Sequence, residues 1–263
     1  MFLVAAGDVA SCDSRGDEAT AKLLARLPGT IALLGDAAYE RGTDGEFARC
    51  FGPSWGRFRP RIRPALGNHE YLAHRDAAPY FRYFGAAAGS PRGFYDYRLG
   101  AWHVVVLNSN CAPAGGCAAG SPQERWLRAQ LSSDPTRCTV AYSHHPRFSS
   151  GFHGNDASLR DLWRALYEGG ADVVLAGHDH HYERFAPQTP EGKLDRRRGL
   201  RQFVVGTGGR RLYPALRRLP ASEVRHSGSY GVLSLRLDPG SYRWRFVPVA
   251  GERFTDTGTG RCH

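Results

Sequence analysis

Seven short apolar runs, each ending at a polar or glycine-rich turn, constrain the fold of this chain more than any other feature. The runs read FLVAAGD, TIALLGD, IRPALGNHE, WHVVVLNSN, TVAYSHHP, DVVLAGHDH and RQFVVGTGG. Short runs rich in β-branched residues and bounded by such turns are typical of buried strands. The sequence therefore predicts a sheet-based core, with the first strand over Phe2 to Ala6.

Helical patterns lie between these runs. The segments GDEATAKLLARL, SPQERWLRAQL and DASLRDLWRALYEGG space apolar residues at helical intervals, and the second begins with a capping-box order. Near the end, SYGVLSLRLD and SYRWRFVPV alternate apolar and polar residues around Pro239-Gly240, which predicts a hairpin of half-exposed strands. Alternating strands and helices predict a layered α/β fold. With 263 residues and 41% hydrophobic content, we expect a single domain over residues 1–263.

The net charge of +10 comes almost entirely from arginine. Clusters at residues 196–201 and 210–218 could attract phosphate-bearing polymers. No aromatic-interleaved nucleic-acid module accompanies them, so we expect a solvated surface and no specific nucleic-acid partner. No apolar run approaches the roughly 20 residues of a membrane helix. The opening MFLVAAGD is too short for a signal peptide, and we expect that any export signal precedes this numbering.

Six cysteines are dispersed along the chain, and none lies in a C-x-x-C pair, which argues against a structural zinc site. The loop CAPAGGC predicts a local disulfide between Cys111 and Cys117. Cys262 lies in a tail that would gain from being tied down, but its partner stays open, and six buried thiols are the alternative. An even cysteine count favours a secreted or periplasmic location.

Five of the predicted strands end in potential metal ligands. These residues are Asp8, Asp36, Asn68 with His69, His144 with His145, and His178 with His180. Because ligand sites in α/β sheets form at the carboxyl ends of strands, we expect these side chains to converge. An extended backbone in GHDHHYER would direct His178 and His180 to one side and Asp179 elsewhere.

The ordered motifs GD, GDAAY, GNHE, SHHP and GHDHHYER resemble those of the calcineurin-like metallophosphoesterase superfamily, in its purple acid phosphatase branch. The resemblance extends to GFYDYRLGAWHVVVLNS, QERWLRAQL and FVVGTGG, and so covers most of the chain. It implies an α/β fold, a four-layer α/β/β/α sandwich of two mixed sheets, with a dinuclear metal site at the carboxyl ends of the strands. The separate N-terminal β-sandwich domain of larger plant-type members is absent from this sequence, which resembles the catalytic domain alone.

The resemblance also assigns ligands. The first metal ion would bind Asp8, Asp36, Tyr39 and His180, and the second Asp36, Asn68, His144 and His178. Asp36 would bridge, with one carboxylate oxygen facing each ion, and hold them roughly 3.5 to 4 Å apart. Most branches of the superfamily have a D-x-H first motif, but Ala10 stands at the histidine position here. Tyr39 could fill that vacancy as a phenolate, which favours Fe(III) at the first site, with Fe(II), Zn or Mn at the second.

Hydrolysis of a phosphate monoester by a two-metal-activated hydroxide is the implied reaction. His69 and His153 would be catalytic and, with Asn68, would bind the substrate phosphate. Some members have a second histidine after the one matching His153, where this chain has Gly154. His145 and His181 would support the ligands or lie at the surface. We expect the pocket walls to come from loops such as 70–93 and 149–156.

Three alternative functions remain open at this point. A phosphodiesterase, or a phosphatase loaded with manganese or zinc, would use the same motifs. A non-catalytic polyanion-binding protein would use the arginines, but that function predicts a degraded ligand set, whereas every expected ligand is present.

Overall fold

A computed structural model describes residues 1–133 and 136–263, and within these ranges it contains two mixed β-sheets. The six-stranded sheet contains β1 (Phe2–Ala6), β2 (Thr30–Leu34), β3 (Ile62–Ala65), β11 (Gly231–Asp238), β12 (Ser241–Pro248) and β13 (Thr257–Arg261). The seven-stranded sheet contains β4 (Tyr95–Leu99), β5 (Trp102–Val106), β6 (Cys138–Tyr142), β7 (Val173–Ala176), β8 (Tyr182–Phe185), β9 (Arg201–Val205) and β10 (Ser222–His226).

The strand order is β13-β12-β11-β1-β2-β3 in the first sheet and β10-β8-β9-β7-β6-β5-β4 in the second. Strands β1, β2 and β3 are parallel to one another, as are β5, β6, β7 and β9. The hairpin strands and the strands β4, β8 and β10 are antiparallel to their neighbours. Each sheet therefore contains a block of neighbouring parallel strands, and the carboxyl ends of the strands in one block lie on the same side of that sheet.

Helices cover the outer faces of the sheets. In the described ranges the α-helices are α1 (Gly16–Leu24), α2 (Asp44–Glu46), α3 (Glu70–Ala73), α4 (Ala78–Phe84), α5 (Cys111–Ala114), α6 (Pro122–Ser133) and α7 (Arg160–Glu168). A π-helical turn spans Phe47–Phe51, and 3-10 turns span Trp55–Arg61, Gly85–Ala88 and Ala157–Leu159. The predicted wall segment 70–93 is thus not a plain loop, because it contains α3, α4 and a 3-10 turn.

The layering follows from the alternation of side chains along the strands. On β5, Val104 and Val106 point into the core shared by the two sheets, whereas Val105 packs on the opposite face. That opposite face is covered by Leu127 of α6 and Leu162 of α7. Helix α1 packs against β11 of the six-stranded sheet and buries Ala21 and Leu24. The predicted α/β fold with two mixed sheets is confirmed.

All seven predicted strands and the hairpin at Pro239-Gly240 are present. The start of α6 also follows the prediction, since the Ser121 hydroxyl accepts a hydrogen bond from the backbone N–H of Glu124. The Glu124 carboxylate accepts the N–H of Gly120 rather than that of Ser121, so the capping box is incomplete.

All six cysteines form disulfides, which removes the alternative of six buried thiols. Cys111 pairs with Cys117 as predicted. The other two pairs are Cys12–Cys50 and Cys138–Cys262, and the second ties the C-terminal tail to the first residue of β6. Among the described helices, none has the length and apolar character needed to span a membrane.

Candidate metal centre

Three of the predicted ligands follow their strands in a left-handed backbone conformation. Asp8, Asp36 and His178 come two residues after β1, β2 and β7, with φ angles of 61°, 49° and 70°. This region is unfavourable for residues other than glycine and is enriched at functional sites. Each of these turns follows the carboxyl end of a strand and brings its side chain next to Tyr39 or His144.

The first group of donor atoms surrounds the hydroxyl of Tyr39. Its Oη lies 2.9 Å from Oδ1 of Asp8 and 2.9 Å from Oδ2 of Asp36. Nε2 of His180 is 3.2 Å from the same Oη and 3.4 Å from Oδ1 of Asp8. The four predicted ligands of the first ion therefore converge on one point.

The second group surrounds Nε2 of His144, which follows β6. This nitrogen lies 3.0 Å from Oδ1 of Asn68, 3.2 Å from Nδ1 of His178 and 3.3 Å from Oδ2 of Asp36. The structure thus also brings together the four residues predicted for the second ion.

Asp36 joins the two groups through one oxygen atom. Its Oδ2 is within reach of both Tyr39 and His144, whereas its Oδ1 accepts the backbone N–H of His69 at 2.9 Å. This geometry differs from the expectation that each carboxylate oxygen faces one ion. A side chain at Gly67 would overlap Oδ1 of Asp36, so only glycine fits beside this carboxylate.

The donor set fits two metal ions. Ligand atoms bound at about 2.0 to 2.2 Å around one cation lie roughly 3 to 3.5 Å from one another, which is the spacing within each group. The outer nitrogens of two imidazoles contact backbone carbonyls, with Nδ1 of His144 2.8 Å from the oxygen of Leu34 and Nδ1 of His180 2.8 Å from that of Arg211. Such contacts hold the proton on Nδ1 and leave the Nε2 lone pair facing the centre.

Burial and neighbouring charges shift the pKa values of these residues. Burial and the carboxylates of Asp36 and Asp8 raise the pKa of Tyr39 well above its usual value. Burial opposes a charge on His144, but the carboxylates of Asp36 and Asp8 and the carbonyl of Leu34 together outweigh it and raise the pKa of His144 to about 10. The pKa of Asp36 is lowered by His144 and His69 despite its burial. Without a cation Tyr39 is a neutral phenol, so metal binding as a phenolate must release its proton.

The backbone at the fifth motif, GHDHHYER, is not extended as expected. Strand β7 ends at Ala176, and residues 178–181 form a series of bends. His178 and His180 nevertheless reach the centre, each in a different donor group, because the left-handed turn at His178 replaces strand alternation. The conclusion about these side chains holds, but the extended backbone assumed for it was wrong.

The two histidines predicted to face substrate contact different parts of the centre. The ring of His69 lies 4.4 Å from that of Tyr39, and its Nδ1 is 2.5 Å from the carbonyl of Glu40. That contact leaves Nε2 of His69 directed towards Asp36, at 3.8 Å. The exposed ring of His153 lies 4.1 Å from that of His178.

Glu70 is a site residue that the sequence reasoning did not assign, although its motif GNHE was recognised. Its fully buried carboxylate accepts three backbone N–H groups, from Gly67 at 2.7 Å, Ala37 at 2.8 Å and Asp36 at 3.0 Å. Burial and the Asp36 charge raise the pKa of Glu70 to about 7, while the backbone N–H groups oppose that rise. Glu70 therefore ties the ligand turn after β2 to the turn after β3.

Two further carboxylates hold the loop that carries His153. Asp179 accepts hydrogen bonds from the hydroxyl of Ser149 and from the backbone N–H of His153, the latter at 3.0 Å. Glu183 accepts the backbone N–H and the hydroxyl of Ser150 at 2.8 and 2.6 Å. Both acidic residues lie within GHDHHYER, so the motif itself was the signal that could have identified them.

The remaining histidines of the motifs, His145 and His181, contact polar side chains beside the centre. Nδ1 of His145 lies 2.8 Å from the hydroxyl of Ser109, and Nε2 of His181 lies 3.2 Å from the carboxylate of Glu183. His181 is fully buried, so the surface alternative does not apply to it. Sequence reasoning also missed Arg210, whose guanidinium lies 4.9 Å from the centre of the Tyr39 ring.

Comparison with known families supports the family resemblance that the ordered motifs indicated. A family model described as calcineurin-like phosphoesterase matches residues 2–182, which contain every predicted ligand and both substrate-facing histidines. The chain belongs to the calcineurin-like phosphoesterase family. Membership implies a dinuclear metal centre, in agreement with the clustered donors.

Relatives assign this phosphoesterase to the purple acid phosphatase-like branch. It is 26% identical to purple acid phosphatase 15 of Arabidopsis thaliana over 72% of this chain and 41% of the relative. It is 30% identical to the uncharacterized protein Rv2577 of Mycobacterium tuberculosis over 58% of this chain and 36% of the relative. The phosphoesterase thus spans less than half the length of these relatives.

A solved structure shows the same fold. Purple acid phosphatase PPD1 from yellow lupin superposes with a TM-score of 0.80 at 17% sequence identity, covering 98% of this chain and 53% of that protein. At this identity the likeness establishes the architecture alone.

Proposed function

We propose that this phosphoesterase hydrolyses small phosphate monoesters in the manner of a purple acid phosphatase, as a single catalytic domain over residues 1–263. The observation that carries the proposal is the position of Asp36 Oδ2, which is common to two complete groups of donor atoms. His69 and His153 contact these groups from different sides. Such an arrangement suits a phosphoryl group held over two cations.

The chain's own residues would bind and orient the substrate. When bound, the two metal ions supply charge neutralisation for the phosphoryl group and activation of the attacking water. His69, fixed through its Nδ1 on the Glu40 carbonyl, would direct Nε2 to a phosphoryl oxygen. His153, held by Asp179 through its backbone, would donate a proton to the departing alkoxide. Asn68 would contribute a neutral oxygen next to the same phosphate.

We assign Fe(III) to the first site from its donor chemistry. The group around Tyr39 has three oxygen donors and one nitrogen donor, and a phenolate with carboxylates favours a hard trivalent ion. The group around His144 has two nitrogen donors, a neutral amide oxygen and the shared carboxylate oxygen. That mixture suits Fe(II), Zn or Mn.

We further propose that the protein works outside the cytoplasm, as a secreted or periplasmic enzyme. Three disulfides in one domain favour an oxidising compartment.

The test compares Asp36→Asn with the wild type for metal content and for hydrolysis of p-nitrophenyl phosphate and bis-p-nitrophenyl phosphate. We expect the wild type to prefer the monoester, and the variant to lose metal and activity together. Asp13→Asn, which changes an exposed carboxylate after β1, is the matched control. Faster turnover of the diester would indicate a phosphodiesterase instead. Full activity in Asp36→Asn would overturn the assignment of the centre.

A further inference from the structure

An open surface cavity begins next to the metal centre. The ring of Tyr213 lies 4.7 Å from that of His180, and its hydroxyl donates to the backbone oxygen of His178 at 2.9 Å. The residues that follow, 214–218, form one wall of a cavity of about 540 Å³, and residues 225–228 form the other. One continuous segment therefore leads from the metal ligands into this cavity.

Arg217 brings a guanidinium group to the loop of His153. A Cβ atom at Gly154, the next residue after His153, would overlap Nη2 of Arg217. Gly154 has a φ of 74°, a conformation that favours glycine. The absence of a side chain at this position leaves the space that the guanidinium occupies.

Hydrogen bonds fix the Arg217 segment to the same loop. The backbone N–H groups of Leu216 and Arg217 donate to the carbonyl of Ser150, at 2.9 and 3.3 Å. Arg225 donates from Nη1 to the carbonyl of Arg217 at 3.1 Å. Because Ser150 and Gly154 lie in the loop that carries His153, the position of Arg217 is coupled to the position of His153.

The positive charge of this cavity is not neutralised by the protein. Among residues 1–133 and 136–263, no carboxylate forms an ion pair with Arg217, Arg218 or Arg225. By contrast, Arg184 and Arg201 nearby both pair with Glu223. Three exposed guanidinium groups without acidic partners create a local field that attracts anions. The planar guanidinium group matches the oxygens of a phosphate in a bidentate contact.

We propose that Arg217, supported by Arg218 and Arg225, forms a second anion subsite that binds a phosphate group on the leaving-group side of the substrate. The favoured substrates are small organic bisphosphates, with one phosphate at the metal centre and the other in the cavity. This inference rests on the proposed monoesterase function and names the substrate class for it.

The experiment measures kcat/KM for fructose 1,6-bisphosphate and fructose 6-phosphate in the wild type and in Arg217→Gln. We expect the wild type to prefer the bisphosphate, and the substitution to lower the ratio of the two values about tenfold, as for loss of one charge-assisted hydrogen bond. Arg243→Gln, which changes an exposed arginine on β12, should leave the ratio unchanged. Gly154→Asn, which tolerates a positive φ but displaces the guanidinium, should lower the ratio in the same direction.

An equal decrease for both substrates in Arg217→Gln, or an unchanged ratio, would overturn the subsite. If neither sugar phosphate is hydrolysed, it is the proposed function that fails. Calorimetric titration with fructose 1,6-bisphosphate then decides the subsite, since tighter binding by the wild type than by Arg217→Gln supports it. Equal binding by the two proteins overturns it.

Discussion

Replacement of Glu70 gives the sharpest test of how the metal centre is held in place. Its carboxylate is the acceptor for three buried backbone N–H groups, two of which belong to Asp36 and Ala37 in the ligand turn. A buried donor left without an acceptor costs about 1 to 3 kcal/mol, so Glu70→Ala should lower the free energy of unfolding by at least about 3 kcal/mol. That loss is a large part of the roughly 5 to 15 kcal/mol that stabilises a typical domain.

Glu70→Gln keeps the shape of the side chain and allows a finer measurement. Its carbonyl oxygen can replace Oε2 and keep the bonds to Gly67 and Asp36, but its amide group then faces the N–H of Ala37. We expect a loss of about 1 to 3 kcal/mol together with weaker metal retention, because the backbone of Asp36 shifts. Glu168→Gln, which removes an exposed ion pair with Arg128, should cost less than about 1 kcal/mol.

The measurements are denaturant unfolding of each variant and metal content after dialysis against a weak chelator. Wild-type stability and metal retention in Glu70→Gln would refute the positioning role of this carboxylate. A stability loss without any metal loss would show that Glu70 supports the fold but not the ligand turn.

Two other predictions concern protonation. Tyr39→Phe removes the only phenol among the proposed ligands and should abolish a visible tyrosinate-to-iron band in the purified protein; a colourless, iron-free and fully active wild type would contradict the ferric assignment. Burial, aided by the charge of Glu18, raises the pKa of Asp17 from 3.8 to about 6. The folded state therefore binds more protons between these values, and stability falls as pH rises from about 4 to 6. Asp17→Asn should raise the free energy of unfolding by up to about 3 kcal/mol at pH 7.5 but not at pH 3.5, and the melting temperature should rise only at pH 7.5. The control Asp13→Asn should change neither value, and equal effects of Asp17→Asn at both pH values would exclude this cause.

Local patterns in the sequence were sufficient to predict seven strands, the hairpin at Pro239-Gly240 and the convergence of the ligands. In a run such as TIALLGD, the apolar residues predict a buried strand and the Gly-Asp pair predicts where that strand ends. The carboxyl ends of neighbouring parallel strands lie on the same side of a sheet, so residues that follow these ends come close together. Strands β8 and β13 are harder to predict, because YERF has no continuous apolar run and TGTGR contains no large apolar residue. Their pairing depends on distant partners, since β8 lies between β9 and β10 and β13 pairs with β12.

Contacts between residues that are distant in the sequence could not be predicted from the sequence. The disulfide Cys138–Cys262 spans a sequence separation of 124 residues and depends on where the tail packs. Arg217 and Gly154 meet only because Ser150 accepts hydrogen bonds from the segment that carries Arg217. The left-handed turn at His178 is also a tertiary effect, since its N–H donates to Asp8 Oδ2 at 2.8 Å. Only the folded structure brings such partners together.

The motif GHDHHYER also constrains how this protein can change over generations. Its residues 178–183 serve two purposes. His178 and His180 belong to the metal centre, whereas the carboxylates of Asp179 and Glu183 hold the loop that carries His153. An insertion or deletion there would disturb metal and substrate together, so this segment is expected to tolerate neither. New substrate preferences would instead arise from exchange of exposed side chains in the cavity, such as Arg217, at little risk to the catalytic centre.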